Sequence, residues 1–216
     1  MAKLTPQMCV YCENPADTWD HVPPRTILRV GEGETHPKVP CCSKCNGAFS
    51  ADDEVVRDFL TSEIRNERHD LVKEKFADAR NRAWEKFPGK RDRILDQSRI
   101  VQVGDSDLLP AFDMETPVFR RFLRRMMIAV IYLEHAIRVQ VDSIGWDTRE
   151  SWAAQGLPNP DNLCRSGALR SFASEAFQYR LGYKLEEQQA FLWMRFFAGT
   201  EMYIWWSPIY NLNDEH

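Results

Sequence analysis

Two pairs of closely spaced cysteines constrain the fold of this chain more than any other feature. Cys9 and Cys12 form one CxxC motif, and Cys42 and Cys45 form a second one. A CxxC turn lets two thiolates reach one ion, and zinc prefers four Cys or His ligands in a tetrahedron. The two motifs therefore predict a closed structural Zn²⁺ site. Cys41 competes with Cys42 as a ligand, but the CxxC spacing favours Cys42.

The placement of the six cysteines favours a metal over disulfides. Five precede residue 46 and only Cys164 lies beyond it, whereas a secreted disulfide scaffold spreads its cysteines along the chain. A disulfide or redox pair stays open as the alternative, and Cys164 is expected to be a buried small residue.

The first residues lack the apolar stretch of a signal peptide, and long apolar runs are missing. We therefore expect a cytoplasmic protein without a membrane partner.

The periodicity of apolar residues predicts an α+β protein. Helical spacing begins at Ser50, where Ser50 and Asp53 form a predicted capping box, and it recurs over 71–87 and from Thr116 to about residue 141. Residues 98–103 alternate like a short strand, and 147–155 are expected to form a short helix. From residue 176 onwards aromatic and polar residues alternate, which predicts an antiparallel meander of about three strands.

The charge of the chain does not by itself indicate a binder of nucleic acid. The formal net charge is -4, whereas phosphate binding is usually accompanied by excess Lys and Arg. Basic residues do cluster locally, at Arg120, Arg121, Arg124 and Arg125. We expect this cluster to be the polar stripe of the long helix, with a nucleic-acid track as the second interpretation.

Polar residues with chemical potential lie between and just after the two cysteine motifs. Asp20 and His21 are adjacent, and Asn46 directly follows Cys45. A metal bound to both motifs would bring these three residues within reach of one another. Neighbours on an extended segment point to opposite sides, so Asp20 and His21 share one site only if the strand is distorted near Pro23.

The order CxxC, then DH, then CxxCN resembles the zinc-bound HNH, or ββα-metal, endonucleases, and it is especially similar to those of the endonuclease VII type. The resemblance covers about the first 60 residues and extends to the stretches DHVPP, VPCCSKCN and SADDE. It implies that Asp20 and Asn46 hold Mg²⁺ or Mn²⁺ and that His21 activates the attacking water. It also implies an enzyme that hydrolyses phosphodiester bonds in nucleic acid, with DNA as the expected substrate, in a phage or defence-associated setting.

The resemblance also sets the expected organisation of the chain. Residues 1–68 would form a zinc-stapled, treble-clef-like HNH module. Residues 69–216 would form an α+β accessory region for recognition or dimerisation, with a helical part followed by the C-terminal β-meander. A nuclease that cuts both strands is often a dimer, so we expect a homodimer.

The chain departs from the family pattern in the helix after Asn46. The third histidine of the HNH name is missing, and residue 49 is Phe where endonuclease VII-type members carry glutamate. Asp53 or Glu54 is a candidate water-mediated metal ligand in its place, although Asp53 is also explained as part of the capping box. These departures keep a second hypothesis open, in which the chain is a catalytically degenerate, zinc-stapled adaptor that binds nucleic acid or protein.

Four further residues complete the set of candidates. Arg25 and Arg57 are candidates for contact with substrate phosphate, although Arg57 is equally placed for an i,i+4 ion pair with Asp53. His36 and His69 are expected to be structural or exposed to solvent.

Overall fold

The computed structural model of the protein describes residues 7–28, 35–63, 65–96, 98–103, 107–112, 116–142, 144–148, 151–152, 155, 159–184, 186–197 and 199–207. These residues form an N-terminal hairpin and helix, a helical region with a second hairpin, and a C-terminal antiparallel sheet. The described chain is thus α+β, as predicted. None of its helices combines the length and the apolar character needed to cross a membrane.

The N-terminal part has the order strand, strand, helix. Strand β1 (Thr18–His21) pairs antiparallel with β2 (Lys38–Cys41), and this register places Asp20 opposite Val39 and His21 opposite Lys38. Helix α1 (Ser43–Ser62) follows β2 after a single residue. The segment that carries the second CxxC motif therefore turns directly from strand into helix.

Helix α1 begins earlier than its sequence pattern predicts. Its N-cap is Cys42, whose sulfur accepts a hydrogen bond from the Cys45 backbone N–H at 3.4 Å. Ser50 lies inside the helix, where its hydroxyl donates to the Asn46 carbonyl oxygen. The predicted capping box at Ser50 and Asp53 is therefore wrong, because a cysteine takes the place of the Ser, Thr, Asp or Asn that usually caps a helix.

The helical region contains the predicted helix and strand together with elements that the sequence did not predict. A 3₁₀ turn (Asn66–Arg68) and a π-helical segment (Val72–Ala77) lead into α2 (Asp78–Lys86). Pro88 then opens α3 (Pro88–Asp96) rather than ending the helical run, because proline is well tolerated at the first position of a helix. Strand β3 (Ser98–Val103), which the sequence predicted, pairs antiparallel with β4 (Asp107–Phe112), which it did not.

Helix α4 (Pro117–His135) is the central helix of the molecule. The Thr116 hydroxyl caps its first turn, and Ala136 ends it in the left-handed conformation with φ 55°. The helix therefore stops before residue 141. It packs on α1 through Phe59 and Phe119, whose ring centroids are 4.5 Å apart, and on the C-terminal sheet through its apolar middle.

The C-terminal sheet has five strands in the order β5-β9-β8-β7-β6, all antiparallel. The predicted meander is confirmed as β7 (Phe177–Lys184), β8 (Gln189–Phe196) and β9 (Thr200–Trp206). Two short strands widen it, β5 (Gly145–Thr148) and β6 (Arg170–Phe172). The helix expected from residue 147 is wrong where it overlaps β5, because pairing with β9 overrides the weak local pattern.

One hydrophobic cluster joins the parts. It contains buried side chains from β2, α1, α4 and the inner face of the sheet, so residues on both sides of position 68 share it. Cys164 is buried, as expected. Helix α4 is therefore in a position to carry side chains into the N-terminal hairpin.

Candidate metal centre and catalytic site

The four cysteines of the two CxxC motifs come together in one cluster. The sulfur atoms of Cys9, Cys12, Cys42 and Cys45 all lie within 4.8 Å of one another. Two of the sulfur pairs, Cys12 with Cys42 and Cys12 with Cys45, are 3.6 Å apart. A tetrahedral zinc with Zn–S bonds of about 2.3 Å sets its sulfurs about 3.8 Å apart. The predicted ligand set is thus placed to bind one metal ion such as zinc.

Hydrogen bonds favour the thiolate form of Cys12, one of the four cysteines. The Asn14 side-chain amide donates to the Cys12 sulfur at 3.4 Å. The pKa of the Cys12 thiol is lowered to about 7, chiefly by a hydrogen bond from the Asn14 backbone. Donors of this kind support metal-bound sulfur and tune its basicity.

Cys41 lies outside the ligand set, as the motif spacing predicted. Its side chain is buried and its thiol donates to the Cys42 carbonyl oxygen at 3.4 Å. Burial raises its pKa far above the ordinary value, so the thiol stays protonated. Cys41 is a buried apolar residue beside the metal cluster.

Asp20 and His21 occupy opposite faces of the hairpin. Along β1 the Asp20 side chain is buried, with 4% of its surface exposed, while His21 is half-buried. The strand stays regular as far as His21, and the bond between Val22 and Pro23 is cis. Each residue therefore meets a different set of neighbours.

The Asp20 carboxylate is held by an arginine from α4. Arg125 donates from Nε to Oδ2 at 2.9 Å and from Nη2 to Oδ1 at 3.0 Å. The Tyr11 hydroxyl, from the first CxxC turn, donates to Oδ2 at 2.6 Å. Both carboxylate oxygens are therefore used within the protein.

Asp53 binds the same guanidinium from the other side. Arg125 Nη1 donates to Asp53 Oδ1 at 2.6 Å, and the guanidinium lies 4.4 Å from the centre of the Phe49 ring. We call these five residues, Tyr11, Asp20, Phe49, Asp53 and Arg125, the Arg125 cluster. One cation serves two buried carboxylates, and burial raises the pKa of Asp53 to about 6.

The basic residues of α4 do not form one exposed stripe. Arg125 is buried, with 4% of its surface exposed, and Arg121 binds Asp52 through two hydrogen bonds of 2.7 Å. Arg120 and Arg124 are exposed. The stripe interpretation is therefore wrong for Arg125, because its helical position faces the hairpin rather than solvent.

Arg57 also has a different partner from the predicted one. Its guanidinium binds the neighbouring Asp58, with Nε 2.8 Å from Oδ1, and Asp58 is buried. The i,i+4 ion pair with Asp53 is wrong, because Asp53 is taken by Arg125.

His21 packs against His36, which the sequence does not indicate as a functional residue. The ring centroids of His21 and His36 are 4.9 Å apart, and His36 Nε2 donates to the Pro23 carbonyl oxygen at 2.6 Å. The hairpin register indicates that His36 lies near His21. Because His21 is opposite Lys38, residue 36 lies two positions on and on the same face. The proximity of the two histidines can be predicted only when the pairing of β1 with β2 is known, and the local sequence does not specify that pairing.

The surroundings of His21 are positively charged. Partial burial, followed by the charges of Arg25 and His36, lowers the pKa of His21 to about 4. Lys38, whose ammonium lies 5.0 Å from the centre of the Trp19 ring, adds to this effect. We call His21, Arg25, His36 and Lys38 the His21 face. Its imidazole is neutral at pH 7 and its neighbours suit an anion.

Asn46 lies in the first turn of α1, next to the ligand Cys45. Its side chain is half-buried, and within the described part of the chain its amide makes no hydrogen bond. Asn46 is thus the predicted metal ligand that keeps its coordinating oxygen available.

No family model, curated protein or solved structure matches this chain. The resemblance to HNH endonucleases therefore rests on the residues of the two cysteine motifs and the Asp-His and Asn positions between and after them. Any functional conclusion has to come from the chemistry of these residues and the geometry around them.

Proposed function

We propose that the protein is a zinc-stapled, HNH-type endonuclease that hydrolyses phosphodiester bonds in nucleic acid, with DNA as the expected substrate. His21 is the proposed general base. The observation that supports this proposal is the His21 face. A half-buried imidazole ends the strand whose other end pairs with Cys41 at the cysteine cluster, and the cations Arg25 and Lys38 lie near this imidazole. Phosphodiester hydrolysis develops negative charge on the phosphate oxygens, and fixed cations stabilise that charge.

His21 and His36 have different roles at the His21 face. The neutral His21 ring takes a proton from the attacking water, while His36, anchored on the Pro23 carbonyl, holds the ring edge that faces it. An imidazole with a pKa near 4 is a weak base. A phosphate bound between Arg25 and Lys38 brings negative charge next to the ring and raises that pKa towards the working pH.

The divalent cation that the resemblance implies at Asp20 does not fit this arrangement. Both Asp20 oxygens accept hydrogen bonds from Arg125, and Oδ2 also accepts one from Tyr11. The guanidinium thus supplies a fixed positive charge where Mg²⁺ or Mn²⁺ was expected. The proposed chemistry therefore rests on His21 and its cationic neighbours. Of the oxygen ligands predicted for this ion, all of which lie in the described residues, Asn46 is the one whose side-chain oxygen makes no hydrogen bond.

A second candidate function follows from the contacts of the Arg125 cluster. The closed Arg125 cluster leaves Asp20 and Asp53 with no free coordinating pair. A zinc-stapled module with this arrangement can bind nucleic acid or protein without cleaving it. In that case the His21 face contacts phosphate but performs no chemistry.

Cleavage assays separate the two candidates. Purified protein is incubated with supercoiled plasmid DNA, and separately with single-stranded RNA, without added divalent cation and with Mg²⁺ or Mn²⁺. The endonuclease proposal predicts nicked or linear plasmid. Cleavage only with an added cation would show that the reaction needs a metal ion in addition to His21 and its cationic neighbours. Intact DNA and RNA under every condition would favour the binding module.

A further inference from the structure

Three arginines converge on one cavity on the outer face of the C-terminal sheet. Tyr179 of β7 donates to Glu134 of α4 at 2.8 Å, so this strand face is the inner one. Arg180 and its cross-strand partner Trp193 lie on the other face, and Arg195 lies two residues along β8. With Arg165 from the segment that precedes β6, they line a cavity of about 360 Å³.

The segment that carries Arg165 is packed firmly on the sheet. The Tyr203 hydroxyl donates to Asp161 at 3.2 Å. A side chain at Gly182 would lie 2.4 Å from the Leu163 carbonyl oxygen, so β7 and this segment touch through their backbones. The cavity is thus formed by regular structure and by a segment held against it.

The arginines of the cavity have almost no carboxylate partners. In the described chain Arg165 and Arg180 make no hydrogen bond or ion pair, and Arg195 Nε is buried without a partner. The nearest carboxylate to Arg195 is that of Glu175, at 3.7 Å, and it is mostly exposed to solvent. Guanidinium groups that lack carboxylate partners favour the binding of an anion in the cavity that they line.

The acids of the cavity already serve other donors. Asp161 accepts from Tyr203, and Glu201 accepts from the Trp193 indole N–H at 3.3 Å. The second bond also orients the half-buried indole of Trp193 beside the arginines. A planar aromatic surface next to unpaired guanidinium groups matches a base attached to a phosphate.

We infer that this cavity is a second binding site, separate from the His21 face, and that it holds one nucleotide unit. The phosphate lies on Arg165, Arg180 and Arg195, and the base packs on Trp193. The cavity volume falls in the range of small-ligand sites. The unit is either a free nucleotide or part of a single strand, since both present the same chemistry.

Binding is measured by fluorescence anisotropy at low salt, without added divalent cation. The probe is a fluorescein-labelled oligothymidylate of about fifteen nucleotides, and AMP is the competitor. All proteins carry His21→Ala, so that cleavage cannot consume the probe and a failed endonuclease proposal leaves this test intact. The test variant is Arg180→Gln with Arg195→Gln. The matched control is Arg82→Gln, an exposed arginine of α2 outside the cavity.

The double variant should weaken oligonucleotide binding by at least about tenfold and lower the salt slope by about two, while the control stays within about twofold. Displacement of the probe by AMP would identify a free-nucleotide site. Loss of binding in the double variant without displacement by AMP would identify a strand site. Equal binding of the oligothymidylate by the double variant and its parent, or no binding of it by the parent, would overturn the inference.

Discussion

Arg125 is one cation between two buried carboxylates. Its guanidinium makes four hydrogen bonds of 2.6 to 3.4 Å to Asp20 and Asp53. Replacing it by methionine keeps the apolar stem but leaves two buried acids without a counter-charge. We expect Arg125→Met to lower the free energy of unfolding by about 3–5 kcal/mol in urea titrations. Arg124→Met, at the exposed neighbouring position, should change it by less than about 0.5 kcal/mol. Equal effects of the two substitutions would contradict this role.

Protonation of the Asp53 carboxyl makes the stability of the folded protein depend on pH. Burial raises its pKa to about 6, from an ordinary value of 3.8. Between these values the folded chain holds a proton that the unfolded chain has released, so the contribution of Asp53 to stability falls as pH rises. Measured by urea unfolding, the stability of the parent relative to Asp53→Asn should drop by about 1 kcal/mol from about pH 5 to about pH 7.

His21 acts in the opposite direction, because its lowered pKa favours folding as pH rises. It is present in both proteins of this comparison, so its effect cancels. A difference between parent and Asp53→Asn that stays constant or grows with pH would show that Asp53 is not held in the way described.

At the scale of elements, α1 and the metal cluster depend on one residue. Cys42 is both a member of the sulfur cluster and the N-cap of α1. Cys42→Ser keeps a good capping group but removes the thiolate. We expect this variant to lose the bound zinc, measured by elemental analysis, and to unfold at lower urea concentration.

Cys41→Ser is the matched control, since it makes the same atomic change at the adjacent buried cysteine. It should keep about one zinc per chain. Zinc retained by Cys42→Ser, or lost equally by both variants, would show that the ligand set is different.

The elements that could be predicted are those whose signal is local. The four cysteines follow from motif spacing, and β7, β8 and β9 follow from strict alternation of aromatic and polar residues. The start of α1 was missed because its cap is a cysteine. Strands β5 and β6 were missed because they exist only through pairing with β9 and β7.

The site was predictable only in part, for the same reason. The contact between Arg125 and Asp20 joins residues 105 positions apart in the chain. His36 reaches His21 through the hairpin register. Both depend on tertiary packing, and a helical arginine among three others gives no sign that it is the buried one.

The whole molecule is held together by α4. Its apolar side chains fill the cluster shared by α1 and the sheet, while Arg125 reaches into the hairpin beside the cysteine cluster. The C-terminal part therefore braces the N-terminal hairpin as well as offering a second binding surface. The expected homodimer stays a prediction.

The role proposed for His21 is that of the base in phosphodiester cleavage. Plasmid cleavage under single-turnover conditions compares the parent with His21→Ala and with His135→Ala, an exposed histidine at the end of α4. Zinc content and the urea midpoint are checked first, so that only folded, loaded proteins are compared. This role predicts that His21→Ala cleaves at least about 100-fold more slowly, while His135→Ala stays within about twofold of the parent. Cleavage by His21→Ala at the parental rate would contradict it.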